Sequence, residues 1–515
     1  MKERIALLRN VAWVAMAGYI EAAVGLLAGV LIARTLGPEN YGHYAFGIWM
    51  CGALIMAGNN GLPMTSIRFI AESRGTGHGQ HTAALVSRFT RLQLVSSTLV
   101  LGVFVIVMAI SPVYDWKDEL PLMLSIAVVA AWSRAGFWMW GAIGKGHELF
   151  APENIALALN ALLNMALVLV LAWKRADVAQ FFALYAALGV VSNLVLRGLL
   201  RRHGIRALPG PLPHELERRL RRHLLLTGVL MLLVIGTNRG VEMFLLKLYA
   251  SAQDVGYFAI AGALTKGAVE LLAGGMAAVL LPAMARRFGT GGDAALGSML
   301  VESVRLYWFV GLAIAGLGLT VSEGLVHLLY GYRYEDAIPA LTWNLVIAGL
   351  MVVNGAAAAV LTASDRQADR IRIVLSALVV SIIAGTQLIP RFGLNGAIAT
   401  LAATQLSETV VAWSYALRRV KVRPPAGPMA RQAIAAAIAT LLADLATDAL
   451  HLKLAFLGGA AVFVLVYVPL CVLFKTVRQT EFEVLAHLAR RLGGPGPAVS
   501  ARIARLSRFA LPQDR

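Results

Sequence analysis

ARTLGPENYGHYAF, residues 33–46, is a short polar elbow that ends one long apolar run and opens the next. Pro38 fixes its own φ and disfavours helix at Gly37, while Gly37 and Gly42 tolerate backbone conformations that a Cβ resists. The stretch therefore predicts a stiff, short turn between two helices. Tyr41 and Tyr44 suit a headgroup layer, and Arg34 can reach the interface or pair with Glu39.

The runs on either side set the fold class. Of 515 residues, 58% are hydrophobic and only 14% charged, the composition of a polytopic membrane protein. A bilayer core about 30 Å thick takes roughly 20 apolar residues of helix, and runs of that length recur throughout. They are continuously apolar and do not alternate, so the expectation is all-α and not a barrel. Cys51 and Cys471 each lie inside such a run and read as small buried hydrophobes. The apolar stretch 11–33 is longer than a signal-peptide core and reads as a retained first span.

Windows bounded by charges or turn residues give fourteen spans near 11–33, 44–63, 92–112, 120–142, 155–173, 179–200, 224–248, 255–283, 306–328, 339–363, 373–390, 396–417, 430–447 and 454–474. With the first segment taken as cytoplasmic, 35 Lys and Arg fall on the cytoplasmic side and seven on the other, and four lie inside spans. The positive-inside rule thus predicts both termini in the cytoplasm. It also explains the net charge of +18 without nucleic acid. In the tail, Val499, Ile503, Leu506 and Phe509 alternate with Arg502, Arg505 and Arg508, as in a helix lying on anionic phospholipids.

The elbow has an echo. Leu36 to Ala45, LGPENYGHYA, aligns with Ala250 to Ala259, ASAQDVGYFA, sharing Gly42 with Gly256 and an aromatic before Ala. Both follow the first span of a six-span set, so the chain reads as a parallel duplication. The expected divisions are an N-lobe at 1–200, a basic cytoplasmic linker at 201–223, a C-lobe at 224–417, two extra helices at 418–475 and the basic tail at 476–515.

Charges inside spans are costly and mark functional positions. Glu21 sits at the centre of the first span between Gly18 and Gly25, as a gate or ion-coupling acid or as a structural acid paired with a base. Arg239 and Glu242 at i,i+3, and Lys266 and Glu270 at i,i+4, each share one helical face. They read either as self-neutralising pairs or as cavity groups whose acids restrain the cations. Arg134 has no acid within four residues, so with Trp138 one turn on it is a candidate for phosphate, or it snorkels toward an aromatic belt. Asn59, Asn60, Asn160, Asn164, Gln405 and Glu408 are candidates for sugar hydroxyls or for holding helices together.

The A-R-x-L-G-P-x-x-Y-G-x-Y-A run at 33–45 resembles the first elbow of the Wzx-type oligosaccharide flippases, the polysaccharide transporter branch of the superfamily that also holds MATE drug exporters and the lipid II flippase. RFIAE at 68–72, VGYFA at 255–259 and LLYGYRYEDA at 328–337 extend the resemblance over most of residues 1–420; the second elbow lacks Gly-Pro. The resemblance implies a V-shaped pair of six-helix lobes in a bacterial inner membrane. It also implies alternating access for an undecaprenyl-pyrophosphate-linked glycan, serving the polysaccharide polymerase and chain-length proteins. A MATE-like exporter of small cations is the alternative, and a membrane polymerase or glycosyltransferase the third reading, disfavoured by outer loops of about ten residues. GAIGKG at 141–146 lacks the spacing of a phosphate-binding loop, so no cofactor is expected, and work would come from a proton or sodium gradient, the membrane potential or product removal. No metal site is expected.

Overall fold

The computed structural model describes the backbone of residues 2–76, 79–110, 120–237, 239–364, 367–449 and 454–476. The side chains of 2–22, 80, 120, 277–279, 367 and 368 fall outside the description. The Glu21 reading, the acidic loop 114–119 and the tail helix therefore lie outside the described residues.

Within them the chain is helical, and no strand occurs. The helices are α1 (Lys2–Asn59), α2 (Leu62–Gly75), α3 (Thr82–Ile110), α4 (Leu120–Gly146), α5 (Ala151–Trp173), α6 (Val178–Arg202) and α7 (His214–Thr237). They continue as α8 (Gly240–Tyr249), α9 (Ala252–Leu329), α10 (Ala337–Met351), α11 (Asn354–Ala363), α12 (Gln367–Val420), α13 (Ala426–Ala449) and α14 (Ala455–Leu473). Nine of the described helices are long and apolar enough to cross a bilayer, or eleven if each bent pair is one span. The protein is a multi-pass membrane protein.

Helices and spans do not correspond one to one. α1, α9 and α12 each hold two spans, joined at Gly37 (φ 76°), Gly292 (φ 58°) and Gly393 (φ 51°). These backbone angles suit glycine and strain other residues. The seventh span is instead split into α7 and α8, and the tenth into α10 and α11. The expected basic linker is partly helix: α7 begins at His214, and its first turns are tied to α2 and α3 by Arg219–Glu72 and Arg88–Glu217 ion pairs of 2.9 Å.

Contacts divide the chain into two compact units, Met1–Ile260 with Val374–Thr404, and Ala261–Ile373 with Gln405–Arg515. This division crosses the sequence lobes, since residues 224–260 and 374–404 join the N-terminal helices. The first unit has a core of Phe46, Met50, Phe182, Leu246, Phe258 and Leu401, with a second cluster around Phe69, Phe89, Ile143 and Leu200. The other unit packs Met284, Leu300, Tyr307 and Val360 together, and seats α13 and α14 on α9 through Leu312, Phe463 and Tyr467. Cys51 and Cys471 are free and fully buried, as small apolar residues.

What draws residues 240–260 into the first unit is the pairing of the two elbows. A Cβ on Gly42 would fall inside the Ala252 carbonyl, and one on Gly256 would stand 2.9 Å from the Pro38 oxygen. Small residues let membrane helices approach backbone to backbone, where dispersion and weak polar contacts hold them. The second elbow replaces Gly-Pro with a reciprocal cap: Ser251 N–H donates to Asp254 Oδ2 at 3.2 Å, and Asp254 N–H to Ser251 Oγ at 3.1 Å. Docking buries Tyr41 and Gly42 while Arg34, Glu39 and Asn40 stay exposed. Tyr41 is only 9% exposed and lies 6.1 Å from the Tyr44 ring, so it is a packing residue and not the headgroup anchor expected from sequence. Gly42→Ala is expected to destabilise the purified protein by about 1–3 kcal/mol, the range for overpacking. Gly25→Ala, with nothing within 4 Å of its Cβ, is expected to leave thermal unfolding unchanged or raised.

Candidate functional site

Three spans break in mid-course. α1 gives way to α2 at Asn60 and Gly61, both with positive φ, through a 43° bend. α7 gives way to α8 at Arg239, φ 61°, and α10 bends by 40° into α11. Irregular backbone at membrane depth persists only where protein or a wet cavity satisfies it, and half-helix termini are where transporters hold polar groups. A non-glycine residue with positive φ is uncommon, so Asn60 and Arg239 are singled out by backbone as well as by chemistry.

Arg239 is the N-cap of α8, and Glu242 is the third residue of that helix. The sequence places them as an i,i+3 ion pair, and the structure corrects this. The left-handed residue breaks the helical register, and no ion pair within 4 Å joins the two among the described residues. Glu242 is fully buried. Its carboxylate accepts from Ser381 Oγ at 3.1 Å and from its own backbone N–H, as an acid near a helix N-terminus does to satisfy an orphan donor. Its Oε2 has no hydrogen-bond partner among the described residues. Arg239, half-buried, places its guanidinium 5.5 Å from the Phe258 ring centroid. Trp49 lies beside Gly240, 3.9 Å from the position a Cβ would take there.

Arg134 lies between α4 and α6. Its Nη2 donates to the Tyr185 carbonyl at 3.2 Å, and its guanidinium carbon sits 3.6 Å from the Tyr185 ring centroid. α4 and α6 come this close because Ser133 and Gly136 face Gly189 and Asn193. The aromatic partner is thus Tyr185 and not Trp138, which is 62% exposed. The Arg134 Nε is buried without a hydrogen bond, and no carboxylate pairs with this residue among the described residues.

The other sequence candidates are dispersed. Arg34 is exposed at the elbow. Lys266 and Glu270 form an exposed ion pair of 3.7 Å in the second unit, a self-neutralising couple. Asn59 donates to the Ala135 carbonyl at 3.3 Å and Asn160 accepts from Ser192 at 3.0 Å, both joining helices. Asn60 packs on Gly228 of α7 with its Oδ1 unpartnered. Asn164 and Glu408 are half-buried.

Next to Glu408 lies a cluster that sequence reasoning missed. Asn354, first residue of α11, donates to Thr409 Oγ1 at 2.8 Å and accepts from Trp413 Nε1 at 3.3 Å. Its signal was an Asn inside an apolar span followed by Gly355, the same kind of signal that marked Asn60. Ser381, Phe258 and Tyr185 were also missed, because each acts through a residue distant in sequence. No group of three or more His, Cys, Asp or Glu fit for a metal occurs among the described residues.

Ser381→Ala is expected to cost about 1–3 kcal/mol, the penalty for stripping a buried carboxylate of its donor. Glu242→Gln keeps an acceptor and removes the charge, so it is expected to be neutral or stabilising. Thermal unfolding of the single and double variants checks both, and a cycle showing no coupling contradicts the contact.

Comparison with known proteins agrees with this architecture. The family model described as "polysaccharide biosynthesis protein" matches residues 7–288, more than half of the chain. No curated protein matches by sequence. Among solved structures, the lipid II flippase MurJ in an inward closed conformation aligns with a TM-score of 0.68 at 14% identity, over 90% of this chain and 98% of that one. An inward-facing multidrug resistance MATE family transporter of the MOP superfamily gives 0.64 at 15%, over 80% and 98%. A MOP superfamily transporter from Pyrococcus furiosus, described as having a binding pocket of reverse polarity, gives 0.57 at 14%, over 81% and 95%. At these identities the structures speak for the fold, while the family match speaks for descent: the chain belongs to the polysaccharide biosynthesis protein family.

Proposed function

We propose that this transporter flips an undecaprenyl-pyrophosphate-linked oligosaccharide from the cytoplasmic to the outer leaflet of a bacterial inner membrane, with both termini cytoplasmic. The observation that carries the reading is the asymmetry of charge in the first unit. Its buried acid, Glu242, accepts from Ser381 and interacts with Arg239 without a direct ion pair, whereas Arg134 has no carboxylate partner among the described residues. A cation at mid-membrane costs roughly 2.5–3.5 kcal/mol even on insertion scales. One guanidinium without an acid, and a second not joined to its acid by a direct ion pair, are better explained by an anionic passenger than by assembly alone. Arg239 also caps the N-terminus of α8, whose partial positive charge favours an anion.

The rival, a MATE-like exporter of small cations, calls for acids in place of Arg134 and Arg239. The polymerase reading finds no support in relatives that are transporters. In the proposed cycle the docked elbows close the outer side and part to release the glycan, which the polymerase and chain-length proteins consume. In this reading no cofactor takes part, and a proton or sodium gradient, the membrane potential or product removal supplies the work.

The test is flipping of a radiolabelled undecaprenyl-pyrophosphate oligosaccharide in proteoliposomes. Losing a hydrogen bond to a charged group is worth about 1.5–3 kcal/mol, so Arg239→Ala and Arg134→Ala are each expected to slow flipping roughly 10- to 100-fold. Wild-type transport equal to that of protein-free liposomes overturns the proposal.

A further inference from the structure

Near Arg134 but not lined by it, a cavity of about 240 Å³ opens between α3, α4 and α6, lined by Arg91, Arg197, Arg201, Trp132, Trp140 and Asn193 among others. Its lining holds three guanidiniums and no acid. None of the three arginines forms an ion pair among the described residues, although Arg88, one turn before Arg91, does so with Glu217. Arg197 lies 5.3 Å from the Trp140 ring centroid, and its Nε is buried without a hydrogen bond. Asn193 is 5% exposed, and its Oδ1 has no partner either. These are buried polar groups facing a space that lacks their counterpart, and such groups are normally satisfied.

Depth and surroundings define the counterpart. Arg201 is in the last turn of α6, and Arg91 is about two to three turns into α3 at 1.5 Å per residue. The cavity therefore has its mouth at the end of α6, which leads into the basic segment 197–223, and reaches inward to Trp132 and Gly136 of α4. From Arg91 the exposed residues Val95, Leu99 and Val103 continue up one face of α3, 57–64% exposed, at the i,i+4 spacing of a single stripe. The space is smaller than the ~300–1,000 Å³ usual for drug-sized ligands, so it suits a phosphate group and not an oligosaccharide. Arginine forks match phosphate oxygens bidentately.

We propose that this groove binds the headgroup phosphate of an anionic glycerophospholipid in the cytoplasmic leaflet, with an acyl chain along Val95, Leu99 and Val103. Arg134 and Arg239 are not among its lining residues, and the proposal does not depend on the identity of the cargo.

Native mass spectrometry of the full chain, with phosphatidylglycerol and phosphatidylcholine at equal concentration, tests it. Phosphatidylglycerol adducts are expected to dominate. The preference is expected to fall roughly fivefold for each arginine removed in Arg91→Gln and Arg201→Gln. Arg201 is exposed, so its replacement does not endanger the fold. Arg222→Gln, an exposed arginine outside the groove, is expected to change nothing. Equal adducts of the two lipids, or an equal loss in Arg222→Gln, overturns the proposal. Displacement of phosphatidylglycerol by millimolar inorganic phosphate also overturns it, as the site would then take a free anion.

Discussion

The contact on which the first unit depends is the one between Gly42 and Gly256, where two turns meet with no side chain between them. It brings residues 240–260 against the N-terminal helices. With them come α8 and its N-cap Arg239, and Phe258 on which that guanidinium rests. In the apolar core of a bilayer there is no hydrophobic drive between helices, so close backbone approach does the work that burial does in water. Both elbows descend from the same ancestral turn on the duplication reading, which makes the interface one between two versions of a single motif.

Charge placement follows from that scaffold. Glu242 is buried because α8 starts beside it and supplies the backbone N–H it accepts, while Ser381 arrives from α12 to bond its other side. Arg239 cannot share this arrangement, because its left-handed backbone turns it out of the helical face on which an i,i+3 partner would lie. The sequence neighbours thereby interact without the direct ion pair that their spacing suggests. Lys266 and Glu270, in an uninterrupted stretch of α9, keep their i,i+4 pairing.

The helical class and the special status of the elbow were legible in the sequence because they rest on local rules: apolar run length and the Gly-Pro constraint. The break at Arg239 was not, since nothing in its neighbours forbids helix there. Tyr41 was read as a headgroup anchor because its burial depends on a turn some 210 residues later. Arg134 was correctly picked out as lacking a local acid, but its partner, Tyr185, lies on α6 and was invisible to spacing arguments. The same holds for the groove of Arg91, Arg197 and Arg201, whose members look like ordinary positive-inside residues until three helices are brought together.

The cycle proposed above requires the elbow contact, which holds the first unit together at rest, to part and re-form during transport. His43 and Lys247 side chains meet across it at 3.4 Å, which provides a means to lock it. Cysteines at these two positions, with Cys51 and Cys471 replaced by alanine, can be bridged by a short, cleavable thiol cross-linker before flipping is measured in proteoliposomes. The account predicts that transport falls to the protein-free level when the bridge is complete and returns when it is cleaved. Undiminished flipping by fully bridged protein would contradict it.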